Sequence, residues 1–182
     1  MGWTLRNASI QDAAALARII ECSLGDIVDT AHIEAVLADS ARIAIVGEID
    51  EHVAGFAHGF LTQSAEGLHR WELDLLAVVP DMQGKGLGRA LIDACTCEGW
   101  RLNARMARAL IAVNNFASQR AFAVAGYDCH AQVHGLFVVH GSARNLQGAQ
   151  PENPQLIPVR TLTYEGVWLE GALTHDLVNA AL

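Results

Sequence analysis

The chain has 182 residues, is 52% apolar and 6% aromatic, and carries a formal charge of −8. That length suits a single domain (1–182) with a substantial core, and the acidic balance argues against nucleic acid as a partner. No apolar run approaches the ~20 residues of a membrane-spanning helix, and the opening MGWTLRNAS lacks signal-peptide character. Cys22, Cys95, Cys97 and Cys129 form neither a C-x-x-C pair nor a zinc spacing, so reduced thiols in a cytoplasmic protein without a bound metal are expected.

In chain order, Trp3–Arg6 reads as a short strand. Ser9 can cap a helix whose apolar positions run from Ile10 to Cys22 and which Gly25 ends. Asp29 or Thr30 caps a second helix, with Ile33, Val36 and Leu37 at helical spacing. Arg42–Glu48 and His52–Leu61 read as a hairpin turning at Ile49-Asp50-Glu51. Trp71–Val79 is an apolar strand stopped by Pro80. A helix follows to about Leu102, then a strand over Arg108–Val113 and a helix over Asn115–Ala125. This β-α-β-α unit requires a parallel strand pair. Two more strands are expected, one ending near Val139 and one over Val159–Leu169. The polar segment between them, 141–158, holds Pro151, Pro154 and Pro158 and either is disordered or lines a binding site.

The chemistry concentrates where the Trp71–Val79 strand gives way to a helix. Gly84, Gly86 and Gly88 leave backbone N–H groups uncovered at the positive end of a helix that starts with Leu87 and Arg89, which is an anion site suited to phosphate. A P-loop is excluded because G-x-x-x-x-G-K-[ST] is absent. A dinucleotide fingerprint is excluded because the third glycine comes one residue early and no acidic residue follows for a ribose.

What remains, Gln83-Gly84-Lys85-Gly86-Leu87-Gly88, fits [RQ]-x-x-G-x-[GA] and resembles the acyl-CoA diphosphate loop of the GNAT superfamily of N-acetyltransferases. Downstream, Asn115 to Gly126-Tyr127 is similar to the GNAT signature N-x-x-A-x-x-[FL]-Y-x-x-x-G-[FY], with Ser118 for the usual alanine and Phe122 for the usual tyrosine. The resemblance spans residues 4–127. It implies a mixed α/β fold with a splayed central sheet and helices on both faces. It also implies acetyl-CoA as co-substrate and a primary amine of a small molecule or peptide as acceptor. A homodimer is left open.

The resemblance assigns several roles. Main-chain groups of Ala77, Val78 and Val79 would hold the pantetheine arm as an added strand. Lys85 and Arg89 would neutralise phosphates, and Asn115 would cap its helix and reach the arm. Phe122 would meet the pantetheine sulfur or belong to the core.

An amine with pKa ~10.4 is deprotonated in about one molecule in two thousand at pH 7, so a general base is useful. Glu72 and Asp74 share a strand face about 6.6 Å apart, close enough for mutual repulsion to make one a better base. Glu72 falls where histone-acetyltransferase relatives carry their catalytic glutamate, and Asp74 where many small-molecule members carry an acid. Glu72 is preferred, with Asp74 as the other candidate. Phe122 has no proton for the leaving thiolate; water, Ser118, Cys129 or His130 are possible donors. Of the eight histidines, His58, His69 and His134 are candidates for the acceptor pocket, against an ordinary surface role for each. An acyl-CoA-binding module without turnover is the alternative class, favoured by Phe122 and opposed by the two carboxylates.

Overall fold

The computed structural model describes residues 2–63, 69–104, 106–112, 114–134 and 165–171; the expected loop 141–158, and the strand portions expected at Val139 and at Val159, lie outside them. The described chain runs β1 (Thr4–Asn7), a 3₁₀ turn (Ile10–Asp12), α1 (Ala13–Leu24), α2 (Thr30–Ala38), β2 (Arg42–Ile49), β3 (His52–Gln63) and β4 (His69–Val78). After a 3₁₀ turn at Pro80–Met82 come α3 (Leu87–Arg101), β5 (Met106–Ala112), α4 (Phe116–Val124), β6 (Asp128–His134) and β7 (Glu165–Gly171). No helix among the described residues is long and apolar enough to cross a membrane.

The strands form one sheet in the order β1-β2-β3-β4-β5-β7-β6. Every neighbouring pair is antiparallel except β4 and β5, the parallel pair that the crossover through α3 demands. The hairpin β2–β3 turns on Asp50 and Glu51, both with positive φ (49° and 65°), the two-residue geometry that matches strand twist.

Helices cover both faces. Leu16, Ile19 and Ile20 of α1 and Ile33 of α2 pack with Val46, Phe56 and Ala77 on one side. Leu87, Leu91, Ile92 and Cys95 of α3, with Phe122 of α4, pack with Ala57, Trp71, Leu73 and Ala107 on the other. Trp71 is fully buried and is clasped from two directions. A Cβ on Gly59 of β3 would lie 2.6 Å from its indole, and one on Gly99 of α3 would lie 2.5 Å from it. Both glycines are there because the ring needs the space a side chain would take.

Two irregularities in β4 shape the rest. Across β3–β4 the register runs Gly59↔Leu73 and then His58↔Leu75, so Asp74 is the extra residue of a β-bulge. Before the bulge, Trp71 and Leu73 face α3; after it, Leu76 and Val78 do, while Leu75 and Ala77 turn to α1 and α2. On its other edge β4 pairs with β5 only from Arg70↔Met106 to Leu73↔Ala109. Beyond that point the two strands part.

The N-terminal end is held by charge. Arg6 donates to both oxygens of Asp12 at 2.8 Å and also binds Glu48, and the guanidinium holds the Asp12 carboxyl down at about 2, helped by Ser9. The expected helix from Ser9 therefore begins as a 3₁₀ turn in which Asp12 accepts from the Ser9 backbone N–H and hydroxyl.

Gly99→Ala gains about 1 kcal/mol of helix propensity but drives Cβ into a rigid ring. Overpacking prevails: stability in urea should fall by about 1–3 kcal/mol, and Tm by roughly 3–10 °C for a chain of this size. A stabilised variant would mean that the indole is not seated there. For Asp12 the folded pKa lies below the unfolded one, so its contribution exists above the ordinary carboxylate range and disappears as pH falls toward about 2. The stability gap between wild type and Asp12→Asn should be widest above about pH 5 and close on acidification, read from denaturant midpoints across pH.

Candidate active site

The parting of β4 from β5 leaves one edge of β4 without a strand partner among the described residues from Asp74 onward. Because the Val79 N–H donates to Ala54 on β3 at 2.9 Å, alternation along the strand turns the main-chain groups of Val79 and Ala77 toward β3 and those of Val78 and Leu76 toward the open edge. Val78 therefore lies where the sequence placed it, on the open edge. Ala77 and Val79 face the sheet, and Leu76, which the sequence reading did not single out, joins Val78. The bulge and pairing phase that decide this are set by contacts with β3 and carry no local sequence signal. The Val78 carbonyl already accepts from Ser23 Oγ and Gln83 Nε2, each at 3.0 Å, so Gln83 braces the strand end as well as opening the glycine loop.

That loop has the form of an anion cradle. Gly84 and Gly86 both take positive φ (71° and 92°), a conformation that costs glycine little and other residues more. A Cβ on Gly84 would meet nothing within 4 Å, whereas one on Gly86 would lie 3.3 Å from the Trp3 ring. Gly86 is the N-cap of α3 and no side chain caps it; the first-turn N–H groups of Leu87, Gly88 and Arg89 have no intrahelical acceptors by construction. A Cβ on Gly88 would lie 3.8 Å from the Val78 side chain. Lys85 is exposed with Nζ 3.8 Å from Met82 Sδ, and Arg89 pairs with Asp93 at 3.4 Å. These residues fit a diphosphate, with uncapped N–H groups, open space above Gly84 and an exposed cation beside it.

Asn115 and Phe122 lie on the neighbouring α4. The Asn115 side chain caps the helix, accepting from the Ser118 N–H at 3.1 Å. At the other end the Tyr127 N–H reaches the Phe122 carbonyl and the Gly126 N–H reaches Ala123, with Gly126 at φ 87°. This is a Schellman closure, and its accompanying apolar contact is the edge-on stack of Phe122 against Tyr127 at 5.0 Å. Phe122 is buried in the core. Thr96 gives its only proton to the Ile92 carbonyl, so the Tyr127 hydroxyl donates to Thr96 at 2.6 Å. Burial raises the Tyr127 pKa, and its proton is committed to α3.

The two candidate bases have unlike surroundings. Glu72 is buried between two arginines: Arg70 Nε is 2.5 Å from Oε1, and Arg108 contacts Oε1 at 3.0 Å and Oε2 at 3.2 Å. Both its oxygens are engaged by cations, so it does not form an isolated like-charge pair with Asp74. Asp74 occupies the bulge at the fork of β4 and β5 and stays partly accessible, its side chain 26% exposed. Its Oδ2 lies 3.3 Å from Nδ1 of His58 on β3. The arginines facing Glu72 come from β4 itself and from β5, and a pairing of that kind is invisible without the register. Cys22 lies on α1 and is exposed, Cys95 and Cys97 lie buried on α3, and burial pushes Cys95 up to about 12.

The profile of the Acetyltransferase (GNAT) family matches residues 13–127. A search of curated protein sequences finds no significant match. Among solved structures, YncA of Salmonella typhimurium, solved with its cofactor acetyl-CoA, is similar at 22% identity over 96% of both chains, with a TM-score of 0.73. NAA60 of Arabidopsis thaliana, in complex with a bisubstrate analogue, shares 12% identity over 95% of this chain and 100% of its own, with a TM-score of 0.72. A ribosomal-protein-alanine N-acetyltransferase from Brucella melitensis shares 18% over 93% and 99%, also at 0.72. Together with the uncapped glycine cradle at the start of α3 and the open edge of β4, the family match over most of the chain shows that this protein belongs to the GNAT acetyltransferases, whose co-substrate is acetyl-CoA.

Proposed function

We propose that this acetyltransferase moves the acetyl group of acetyl-CoA directly to a primary amine of a small molecule or peptide, with Asp74 as general base. The observation that carries this reading is the position of Asp74, a partly accessible carboxylate in a bulge at the fork where β4 loses its partner. The co-substrate supplies an activated thioester. The N–H groups around Gly84–Gly88 bind its diphosphate, with Lys85 alongside. Val78 and Leu76 offer outward main-chain groups to the amide arm. That arm would leave the thioester carbon near the end of the paired segment, where Asp74 can receive the proton of an attacking amine. Glu72 serves instead as a counter-charge shared by the buried Arg70 and Arg108.

Direct transfer is favoured over a covalent acyl-enzyme because Cys95 and Cys97 are buried on α3 and burial raises the pKa of both thiols, away from the thiolate a nucleophile needs. A thiol with pKa ~8.5 leaves without strong acid assistance, which is consistent with a buried Phe122 at the position where many relatives carry tyrosine. The acceptor is open between the two kinds of amine. Similarity in fold to the ribosomal-protein-alanine N-acetyltransferase of Brucella melitensis favours a peptide N-terminus, and similarity to YncA of Salmonella typhimurium leaves a small molecule open. The net charge of −8 favours a cationic amine through steering.

Thiol release from acetyl-CoA across amino acids, free-N-terminus peptides, polyamines and aminoglycosides tests the activity; silence across that panel would refute it. With the best amine, Asp74→Asn should lower kcat by roughly a hundredfold or more with acetyl-CoA affinity unchanged. Glu72→Gln removes the negative charge that two buried arginines share and should reveal itself first as lost stability, by about 3–5 kcal/mol. A stable Glu72→Gln that binds acetyl-CoA but fails to turn over, beside a normal Asp74→Asn, would return the base to Glu72. Gly86→Val forces a β-branched residue to φ 92° beside Trp3 and should weaken acetyl-CoA binding at least tenfold, about 1.4 kcal/mol, by calorimetry. Normal binding would move the diphosphate elsewhere.

A further inference from the structure

His58 is buried on the same sheet face as Asp74, and it is a histidine whose two nitrogens meet different environments. Nδ1 points at the Asp74 carboxylate, 3.3 Å from Oδ2. Nε2 is buried and has no hydrogen-bond partner among the described residues. His58 also lines a cleft of about 150 Å³ on the far side from β5, between β1, α2 and β2, together with Asn7, Val36, Leu37, Arg42 and Ala44. The ring is held by its burial and by Phe60, whose centroid is 6.4 Å away. A nitrogen left orphaned in the interior costs about 1–3 kcal/mol and calls for a reason. A cleft of this volume admits water, which can supply the missing partner.

Asp74 needs such a neighbour. A bulged residue has left the regular ladder, and a carboxylate that is partly exposed is free to choose among rotamers. A base must be held within hydrogen-bond reach of the proton it takes, and a third group that orients the base is the recurring solution.

We propose that His58 is the positioning residue of the base: its Nδ1, 3.3 Å from Oδ2, fixes the Asp74 carboxylate at the fork. The inference rests on Asp74 being the base. An imidazole with its proton on Nδ1 can donate to Oδ2 and so limit the rotamers open to the carboxylate, while water in the cleft can serve Nε2. The charged groups that face the imidazole are Asp74 from β4 and Arg42 from β2 across the cleft; Arg42 is itself paired with Asp39 at 3.3 Å. From α2 the cleft wall is apolar, and from β1 it is the neutral Asn7.

The test compares three variants, using the amine that gives the greatest turnover. His58→Leu should lower kcat by roughly ten- to hundredfold, with KM for acetyl-CoA and the thermal midpoint held or improved. His58→Asn places an amide N–H where Nδ1 stood and should recover most of that loss. Asp74→Asn, in the protein without acetyl-CoA, should shift the ¹⁵N resonance of His58 Nδ1. A His58→Leu enzyme with wild-type kcat, a His58→Asn enzyme as impaired as His58→Leu, or an unmoved Nδ1 resonance would each overturn the role of His58. If His58→Leu does not fold, His58→Asn and the resonance decide alone. Wild-type turnover in Asp74→Asn would instead remove the base itself, whereas an impaired Asp74→Asn beside an unaffected His58→Leu would leave the base standing and remove only its partner.

Discussion

The loss of pairing between β4 and β5 beyond Leu73 and Ala109 is the constraint from which the site follows. A strand that continues to Val78 without a neighbour presents main-chain N–H and C=O groups that must find partners. At the Val78 carbonyl the protein supplies two of its own, Ser23 from α1 and Gln83 from the glycine loop. An amide-bearing arm lying along the same edge meets the same demand with new hydrogen bonds. The edge is thus stable enough to persist and open enough to bind, and the glycine cradle at the start of α3 lies at its end. On the proposed function, the seats of the diphosphate and of the arm both follow from one break in the sheet.

The bulge at Asp74 gives the two ends of β4 different work. Before it, alternation puts Trp71 and Leu73 against α3 and leaves Arg70 and Glu72 on the opposite face, where Arg108 of β5 completes a buried ion cluster. After it, the phase has shifted, and Leu75 and Ala77 build the α1–α2 core. Asp74 stands at the change of phase, the one acidic residue of β4 that no arginine claims among the described contacts. Regularity on either side is what allows an irregular residue at the fork. Trp71 anchors the first half so tightly, between Gly59 and Gly99, that the bulge has a fixed base from which to project its carboxylate.

Much of this was legible in the sequence wherever the signal is local. Apolar runs, Pro80, and glycines set in a strand-to-helix turn identify β4, the cradle and α3, since each depends on neighbours within a few residues. The Gly126-Tyr127 pair is legible for the same reason: a helix end that needs positive φ and an apolar staple dictates glycine followed by an aromatic. The sequence also kept Asp74 and His58 in view as candidates. It did not reveal the bulge, the direction in which Ala77, Val78 and Val79 aim their main-chain groups, or the arginines that surround Glu72. Each of those depends on which residue of β3 or β5 lies opposite, and a slip of one residue in register exchanges the faces of a strand. The sequence ranked Glu72 ahead of Asp74 as the base; the register surrounds Glu72 with arginines and leaves Asp74 a partly accessible carboxylate.

Phe122 shows the same division between local necessity and chemistry. Its position is fixed by helix closure, because the residue whose carbonyl receives the Tyr127 N–H must also offer Tyr127 an apolar surface. Phenylalanine satisfies both conditions, and a hydroxyl is not needed for either. Tyr127 cannot lend its own proton in exchange, since that proton is held by Thr96 on α3 and burial strengthens the hold. The leaving sulfur therefore faces no dedicated acid among these aromatic groups. Thiolate is the one product of the transfer stable enough at neutral pH to depart on those terms, and the demand for a positioned proton acceptor falls on the amine side of the reaction, where the unprotonated nucleophile is scarce. It is there, at the fork, that the fold has placed a carboxylate and a histidine in contact.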